Sequence, residues 1–220
     1  MTGPFSEGHT VYQPQLDRVL AWASGPDRQE EILRAKAAFF ERIGEAHEED
    51  RSFEQRLALF VEHFLFDRPL DGTGAPPAAA YLEANRAALS PEELGTFEAL
   101  TRSVHGIFEV RKLGTKLGLK VRDVVSRTDY DILERRGLVA LSKGDILDAR
   151  LLPIDGNLVF SGHFLYHPAE ARKAILTEAK RRKKADPTAS SSELAYDLAR
   201  LALKLDRYRG VPVENIYKFG

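Results

Sequence analysis

Basic side chains form two groups in the second half of the chain, and both groups could bind an anionic partner. One is the uninterrupted run Lys180, Arg181, Arg182, Lys183, Lys184, near the end of a predicted helix. The other lies on predicted strands and comprises Arg111, Lys112, Lys116, Lys120 and Arg122. Clusters of this kind bind nucleic acid or acidic proteins. Cations at the end of a helix also stabilise the helix dipole, so a structural role stays open for the run.

Histidines and carboxylates do not occur at the spacings typical of catalytic or metal sites. His163 and His167 are four residues apart, but on a predicted strand that spacing does not direct two side chains at one metal ion. The sequence contains neither a Gly-x-Ser-x-Gly nucleophile elbow nor a phosphate-binding loop ending in Gly-Lys-Ser/Thr. Two carboxylate pairs lie on predicted turns and strand faces, Asp129/Asp131 and Asp145/Asp148. We therefore expect a protein that is not an enzyme and uses no metal or cofactor.

The composition is that of a folded protein with a substantial core. Of 220 residues, 43% are hydrophobic and 30% are charged, which excludes global disorder. The chain contains no cysteine, which excludes disulfides, thiol nucleophiles and Cys-based metal sites. No apolar run approaches the ~18 residues of a membrane span. The first residues lack the pattern of a signal peptide. We therefore expect a cytoplasmic protein without a membrane segment.

Charge is divided unequally between the two halves of the chain. Residues 1–105 contain 10 Lys and Arg against 18 Asp and Glu, a net charge of −8. Residues 106–220 contain 22 against 15, a net charge of +7. Such asymmetry suggests an anionic partner for the basic half. Attraction between the halves, within one chain or across a homodimer, explains it equally well, and so does drift of surface charge.

The first 104 residues are predicted to form helices. The second predicted helix carries a buried stripe of Ile32, Leu33, Phe39, Phe40 and Ile43. The third has apolar residues at helical spacing from 53 to 65, with His63 beside that stripe, where we expect it to serve packing. Ser-Pro-Glu-Glu at residues 90–93 is a strong start signal for another helix.

Alternating apolar residues then predict a small β-barrel over residues 106–166. In the strand 146–154, Leu147, Ala149 and Leu151 share one face, and Asp155-Gly156-Asn157 predicts a hairpin turn to the next strand. Short strands separated by turns favour an antiparallel barrel of the SH3-like or OB-like kind. Residues 168–220 are predicted to form two helices. The fold class is therefore α+β, and we expect the helical unit 1–104, the barrel and the C-terminal helices to pack as one body.

Asp67 and Arg68 are the polar residues at the end of the third predicted helix. A structural interpretation has Arg68 contact the last helix carbonyls before Pro69. A functional interpretation places Asp67 and Arg68 in the groove between the helices and the barrel, as part of an interface. The sequence leaves both interpretations open.

Several short segments resemble an uncharacterised bacterial family. Its members share a helical stretch that ends in a Phe-x-Phe-Asp box, followed by a small β-barrel with a Gly-Asp turn. The resemblance spans residues 53–165 and implies the fold without implying an activity. The segments are Phe64-Leu-Phe-Asp-Arg-Pro-Leu70, Leu89-Ser-Pro-Glu-Glu93, Phe108-Glu-Val110, Val121-Arg-Asp-Val124, Lys143-Gly-Asp145 and Ala149-Arg-Leu151.

Two functions follow as hypotheses from these patterns. The first is a non-enzymatic regulatory module that binds another protein, since small barrels commonly serve as adaptors. The second is a nucleic-acid-binding regulator that uses the basic strands and the run 180–184. Single-strand binding requires aromatic residues for base stacking, and the strands offer only Phe108 and Tyr130 beside the cations. The sequence therefore favours the protein partner.

Overall fold

The computed structural model describes residues 12–114, 118–133, 141–208 and 210–219. It has the predicted α+β architecture, with N-terminal helices, a closed five-strand barrel and C-terminal helices. The candidate Lys116 lies outside the described residues. The α-helices are α1 (Gln13–Ala23), α2 (Gln29–Ile43), α3 (Phe53–Phe66), α4 (Pro77–Asn85), α5 (Pro91–Thr101), α6 (Arg172–Ala185), α7 (Ser192–Arg207) and α8 (Val213–Ile216). Within the described ranges, no helix is both long and apolar enough to span a membrane.

Local capping explains where α5 begins, as the sequence predicts. The Ser90 hydroxyl accepts a hydrogen bond from the backbone N–H of Glu93 at 3.3 Å. The Glu93 carboxylate accepts one from the backbone N–H of Ser90 at 2.9 Å. Pro91 occupies the first helical position, where its missing N–H costs nothing. Two N–H groups that the helix itself leaves unpaired are thereby satisfied.

The barrel is closed by one parallel pair of strands. The strand order is β1-β2-β3-β5-β4, and β3 pairs with β5 in parallel through Ile132 and Leu158, whereas the other neighbouring pairs are antiparallel. The predicted small barrel is confirmed, and its strand pairing is mixed instead of antiparallel throughout. In a closed barrel with an odd number of strands, directions cannot alternate all the way round, so one pair must be parallel. The strands are β1 (Val104–Leu113), β2 (Gly118–Asp123), β3 (Asp129–Leu133), β4 (Ile146–Ile154) and β5 (Asn157–His167).

The order of the strands also distinguishes between the two predicted barrel types. The first three strands are neighbours, and the chain then crosses to place β4 on the far side of β1. This is Greek-key connectivity in a five-stranded barrel, which is the arrangement of the OB-like kind.

Both faces of β4 are buried, and this determines the position of the polar side chains described below. Leu147, Ala149 and Leu151 fill the barrel interior, as the alternation predicts. The intervening residues point out of the barrel but are covered by helices instead of solvent. Asp148 and Arg150 are only 2% and 1% exposed. The sequence therefore places two charged side chains between the barrel and the helices.

Apolar contacts connect the helical elements to the barrel on two sides. The larger cluster joins the N-terminal helices to Leu152, Ile154 and Leu165 of the barrel. The second cluster joins Ile107 of β1 to α6, α7 and the C-terminal residues. The division at residues 104 to 106 falls at the beginning of β1. Cooperative unfolding of all three predicted units as one body stays a prediction.

Gly106 allows α7 to approach β1 closely. The Ser191 hydroxyl, just before α7, accepts a hydrogen bond from the backbone N–H of Ile107 at 2.8 Å and donates one to the carboxylate of Asp123. A Cβ at residue 106 would lie 2.5 Å from Ser191 Oγ and 3.0 Å from Asp123 Oδ2. Any side chain here must displace the buried hydrogen bonds that hold α7 on the barrel.

We expect Gly106→Ala to lower the free energy of unfolding by about 1–3 kcal/mol, the usual cost of overpacking a filled interior. Chemical denaturation monitored by circular dichroism measures it. The matched control is Gly95→Ala in α5, where a Cβ would meet nothing within 4 Å. That change should stabilise the protein by about 0.5–1 kcal/mol, because alanine is the better helix former. Equal effects of the two substitutions would contradict the close approach.

Candidate functional site

Three of the basic side chains predicted on the strands are paired with carboxylates of the barrel, two across neighbouring strands and one within its own strand. Arg122 donates two hydrogen bonds to Asp129, at 2.6 and 2.7 Å. Lys120 lies 3.0 Å from a carboxylate oxygen of Asp131. Arg111 binds the buried carboxylate of Glu109 at 2.9 Å, and in the described part of the chain Lys112 has no charged partner. This group is therefore largely neutralised within the barrel itself.

The basic run at the end of α6 is also partly neutralised by carboxylates. Arg181 and Arg182 both bind the buried carboxylate of Glu178 at 2.7 Å, and Arg182 also pairs with Asp197. Lys183 donates to the carbonyl oxygen of Pro187. The remaining two lysines of the run, Lys180 and Lys184, are exposed and form no ion pair with any described residue.

The structure does not merge the two basic groups into one surface. The first turn of α6 is held against β1 by an ion pair between Arg172 and Glu109, which also binds Arg111. Lys180 lies a further 12 Å or so along the axis of α6, at 1.5 Å per residue. The strand group therefore lies on the barrel beside the first turn of α6, whereas the run lies in the last turns of the same helix.

Asp67 and Arg68 point to different places. Asp67, at the end of α3, turns toward the barrel and accepts a hydrogen bond from the Arg150 guanidinium. Arg68 turns away and binds Glu31 at 2.7 Å and Asp71 at 3.2 Å, which ties the loop after α3 to α2. Its other described contact is a hydrogen bond to the carbonyl oxygen of Pro69. Asp67 therefore lies between helices and barrel, and Arg68 does not.

Asp67 belongs to a polar centre buried where α3, α7 and the barrel meet. The i, i+4 spacing places His63 and Asp67 on one face of α3. The i, i+2 spacing places Asp148 and Arg150 on the outer face of β4. The polar centre consists of Glu62, His63, Asp67, His105, Asp148, Arg150 and Tyr196.

Arg150 is the hub of the polar centre. Its side chain is 2% exposed, and its guanidinium binds both Glu62 (3.3 Å) and Asp67. It also donates to the Ser103 hydroxyl at 3.0 Å, and its guanidinium carbon lies 4.8 Å from the centre of the Phe66 ring. A buried cation requires such partners, because each unpaired ion in an apolar interior costs several kcal/mol.

Two histidines complete the polar centre. His105 Nε2 lies 2.7 Å from a carboxylate oxygen of Asp148, and the other ring nitrogen of His105 is buried without a hydrogen-bond partner among the described residues. His63 Nδ1 lies 2.9 Å from the Tyr196 hydroxyl, and the Arg42 guanidinium carbon lies 3.7 Å from the centre of the Tyr196 ring. Tyr196 therefore connects α7 to α3.

The electrostatics of the polar centre favour the charged forms of its carboxylate and imidazole. Burial alone would raise the pKa of Asp67, but the His63 imidazole, 3.7 Å away, and the charge of Arg150 lower it to about 2. Burial alone would lower the pKa of His105, but the adjacent Asp148 carboxylate outweighs burial and raises it. Burial raises the pKa of the Tyr196 hydroxyl to about 12.

The cavity inside the polar centre is too small for a substrate. Its volume is about 20 Å³, which is room for about one water molecule. Among the residues that the structure describes, no three His, Cys, Asp or Glu side chains are arranged to hold a metal ion. The geometry therefore makes the polar centre an ionic connection between α3, α7 and the barrel.

Sequence reasoning missed most of this centre. The alternation of β4 correctly separates Asp148 and Arg150 from the apolar interior residues, but polar residues on an outer strand face normally indicate solvent. The available signal was the presence of charged residues of both signs, on that strand and on α3. Without the tertiary placement of α3 and α7, it could not be distinguished from ordinary surface charge.

An open apolar groove lies on the other side of the helical unit, between α2 and α3. Leu33, Ala37 and Phe40 form its α2 wall, and Phe53 and Leu57 form its α3 wall; we call it the α2–α3 groove. Its volume is about 650 Å³. Leu33, predicted to be buried, is 66% exposed. The prediction failed because α2 buries Ala35, Phe39, Phe40 and Ile43 and leaves Leu33, nearer the start of the helix, uncovered.

Two of the side chains that line the α2–α3 groove are carboxylates without an ion pair in the described ranges. Glu41 and Glu45 line it, and Glu48 and Glu49 follow a few residues later on the exposed connection to α3. None of these four side chains forms an ion pair with a residue in the described ranges. Lys36 is the basic residue at the rim. The groove thus combines an apolar floor with a predominantly acidic margin.

Fold and site together define a class of protein: an α+β protein in which helices are joined to a closed Greek-key barrel through a buried ionic centre. The chain belongs to a family described as a family of unknown function (DUF7986), whose profile matches residues 29–215. The expected membership in a family without an attached activity is therefore confirmed. The bacterial origin and the helix box as a family feature stay predictions. Comparison of the chain with curated proteins and with solved structures finds no match.

We expect Arg150→Met to lower the free energy of unfolding by about 3–5 kcal/mol at neutral pH, because it leaves the Glu62 and Asp67 carboxylates buried without a cation. The cost should shrink in acid. The pKa of Asp67 is lowered, so its pairing contributes stability above its unfolded pKa of about 3.9, and that contribution is lost as pH falls through about 2. Urea denaturation as a function of pH measures both effects.

Two further variants serve as controls for this experiment. Arg34→Met removes an arginine whose ion pair with Asp71 is exposed to solvent, and it should cost much less. The triple change Glu62→Gln, Asp67→Asn, Arg150→Met removes all the charges together and should recover most of the stability. An Arg150→Met variant no less stable than Arg34→Met would contradict the role of Arg150.

His105→Gln should destabilise the protein more at pH 6 than at pH 9. The folded-state pKa of His105 is raised, so the His105–Asp148 pair contributes stability that is fully present below the unfolded pKa of about 6.5 and is lost as pH rises through the folded-state pKa. The measurement is the free energy of unfolding of both proteins across this range. His47→Gln, at an exposed histidine, is the control. A difference that does not vary with pH would refute the assignment.

Proposed function

We propose that this protein is a non-enzymatic interaction module that binds another protein through the α2–α3 groove. The observation that carries the proposal is the exposed apolar side chain of Leu33 in a groove of about 650 Å³. The α2 wall adds Ala37 and Phe40 one and two turns further along. Exposed apolar surface that is contiguous and rimmed by polar residues is typical of protein-binding sites.

The interior of the polar centre supports the non-enzymatic part of the proposal. His105 and Asp148 have the geometry of an acid–base pair, and such a pair catalyses a reaction only if a substrate reaches it. The adjoining cavity of about 20 Å³ is smaller than any organic substrate. The buried ion pairs account for these residues through the joining of helices to barrel.

The alternative function, nucleic-acid binding, has less support from the contacts. OB-like barrels bind oligonucleotides on the face of their second and third strands. On these strands the cations Lys120 and Arg122 are neutralised by Asp131 and Asp129. Phosphate binding would have to displace these pairs. A protein partner therefore remains our preferred proposal, and the cytoplasmic location and regulatory role are proposed with it.

The test is capture of a partner by matched variants. Wild-type protein, Leu33→Gln and Leu113→Gln are immobilised and exposed to nuclease-treated native lysate. Leu113 is an exposed apolar residue at the end of β1 and is the control. We expect a stoichiometric protein that wild type and Leu113→Gln retain and that Leu33→Gln captures at least tenfold less, because an interface hot spot contributes more than about 1.4 kcal/mol.

Equal capture by the three proteins, or no partner above background with wild type, would refute the proposal. Thermal unfolding distinguishes loss of binding from loss of fold. Leu33 is already exposed, so Leu33→Gln should unfold at nearly the same temperature as wild type.

A further inference from the structure

We infer that the α2–α3 groove accepts a basic amphipathic helix of the partner protein. The inference rests on the proposed function, because it names the kind of segment that would occupy the same groove. Its grounds are the shape of the apolar floor and the charge of the margin, which are independent of each other.

The shape of the floor fits a helix. Leu33, Ala37 and Phe40 follow one another at i, i+4 and i+7 along α2, and Phe53 and Leu57 are spaced at i, i+4 along α3. Each of the two helices therefore contributes apolar side chains at helical spacing to one open groove. A third helix docks in such a space through its own residues at i, i+3 or i+4, and i+7.

The charge of the margin selects a cationic helix. Glu41 and Glu45 line the groove, and their carboxylates form no ion pair within the described ranges. Among the neighbouring charged residues, Arg42 is paired with Glu193 and Asp50 with Arg207. Lys36 at the rim is unpaired within the described ranges, so the carboxylates that line the groove outnumber its cations by two to one. The negative charge left over at the groove is therefore available to a partner. Charge complementarity of this kind guides association and determines orientation.

The basic helix of a second copy of this chain does not fit the groove. The exposed residues of α6 at helical spacing are Lys173, Thr177, Lys180 and Lys184, all of them polar. Of its large apolar residues, Ile175 is fully buried and Leu176 is partly buried against the same cluster. Helix α6 could satisfy the acidic margin but would leave the apolar floor of the groove unfilled. The occupant must carry both features on one helix, which favours a different protein.

The experiment measures binding of a fluorescent peptide by anisotropy. The probe is an 18-residue helical peptide with leucine at i, i+4, i+7 and i+11, with five lysine or arginine residues on the flanks of that apolar face, and with alanine and glutamine at the other positions. One comparison peptide replaces every lysine and arginine by glutamate. The other has the composition of the probe in an order that destroys the apolar face. We expect only the basic amphipathic peptide to bind.

Matched protein variants locate the binding. The double change Glu41→Lys and Glu45→Lys should weaken binding at least tenfold, because it places like charges beside the peptide. Leu33→Gln should weaken it as well. The control is Glu92→Lys with Glu214→Lys, which reverses two exposed carboxylates in α5 and α8 and should leave binding unchanged. Raising the salt concentration should weaken the electrostatic part.

Each contrary outcome has a distinct meaning. If the basic peptide does not bind, or if the double charge reversal leaves its binding unchanged, the inference is overturned. If lysate capture depends on Leu33 but not on Glu41 and Glu45, the proposed function stands and the basic helix is wrong. Sedimentation that shows self-association abolished by the double charge reversal would assign the groove to a second copy and would also overturn the inference.

Discussion

The neutralisation of one buried cation, Arg150, determines how the two parts of this fold are joined. Alternation along β4 places Arg150 on the outer face of the barrel, where α3 covers it. A guanidinium that is 2% exposed needs partners for its charge, and α3 supplies the carboxylates of Glu62 and Asp67. Apolar packing alone is not directional, whereas these ion pairs fix the position of α3 along the strand. The helical unit is therefore positioned by charge and stabilised by apolar burial.

Helix α7 is attached to the barrel and to the helical unit by hydrogen bonds from buried hydroxyl groups. Ser191 bonds to Asp123 and to the backbone of β1 at a point where Gly106 removes the steric obstacle. One turn into α7, Tyr196 reaches back to His63 of α3. Helix α7 is thus bonded to both the barrel and the helical unit. A polar group buried at a junction must find a partner, so each of these bonds restricts the arrangement of all three parts.

Helix-capping and strand-alternation rules correctly predicted the features that depend only on residues close together in the sequence. The capping box of α5 and the interior face of β4 could be predicted, because a turn of helix and a strand pleat each involve only a few residues. Tertiary coverage could not be predicted in the same way. Arg150 is covered by α3, but nothing in the local pattern distinguishes it from a surface arginine. Leu33 is left uncovered, but nothing in the local pattern distinguishes it from a core leucine. The parallel β3–β5 pair likewise follows from barrel closure and not from the sequence of either strand.

The charges suggest one kind of partner when they are counted along the sequence and another when their ion pairs in the structure are taken into account. The positive net charge of the second half suggests an anionic partner, yet five of the nine candidate cations in the described ranges are paired with carboxylates of that same half, as in Arg122–Asp129 and Arg182–Asp197. The surplus of negative charge in the first half includes carboxylates at the α2–α3 groove that have no counterpart in the described residues. A surplus matters for recognition only where it is unpaired and lies beside surface that can be desolvated. By that criterion the carboxylates at the groove, and not the largely paired cations of the second half, are the charges that recognition would use, and this is why we infer a cationic partner.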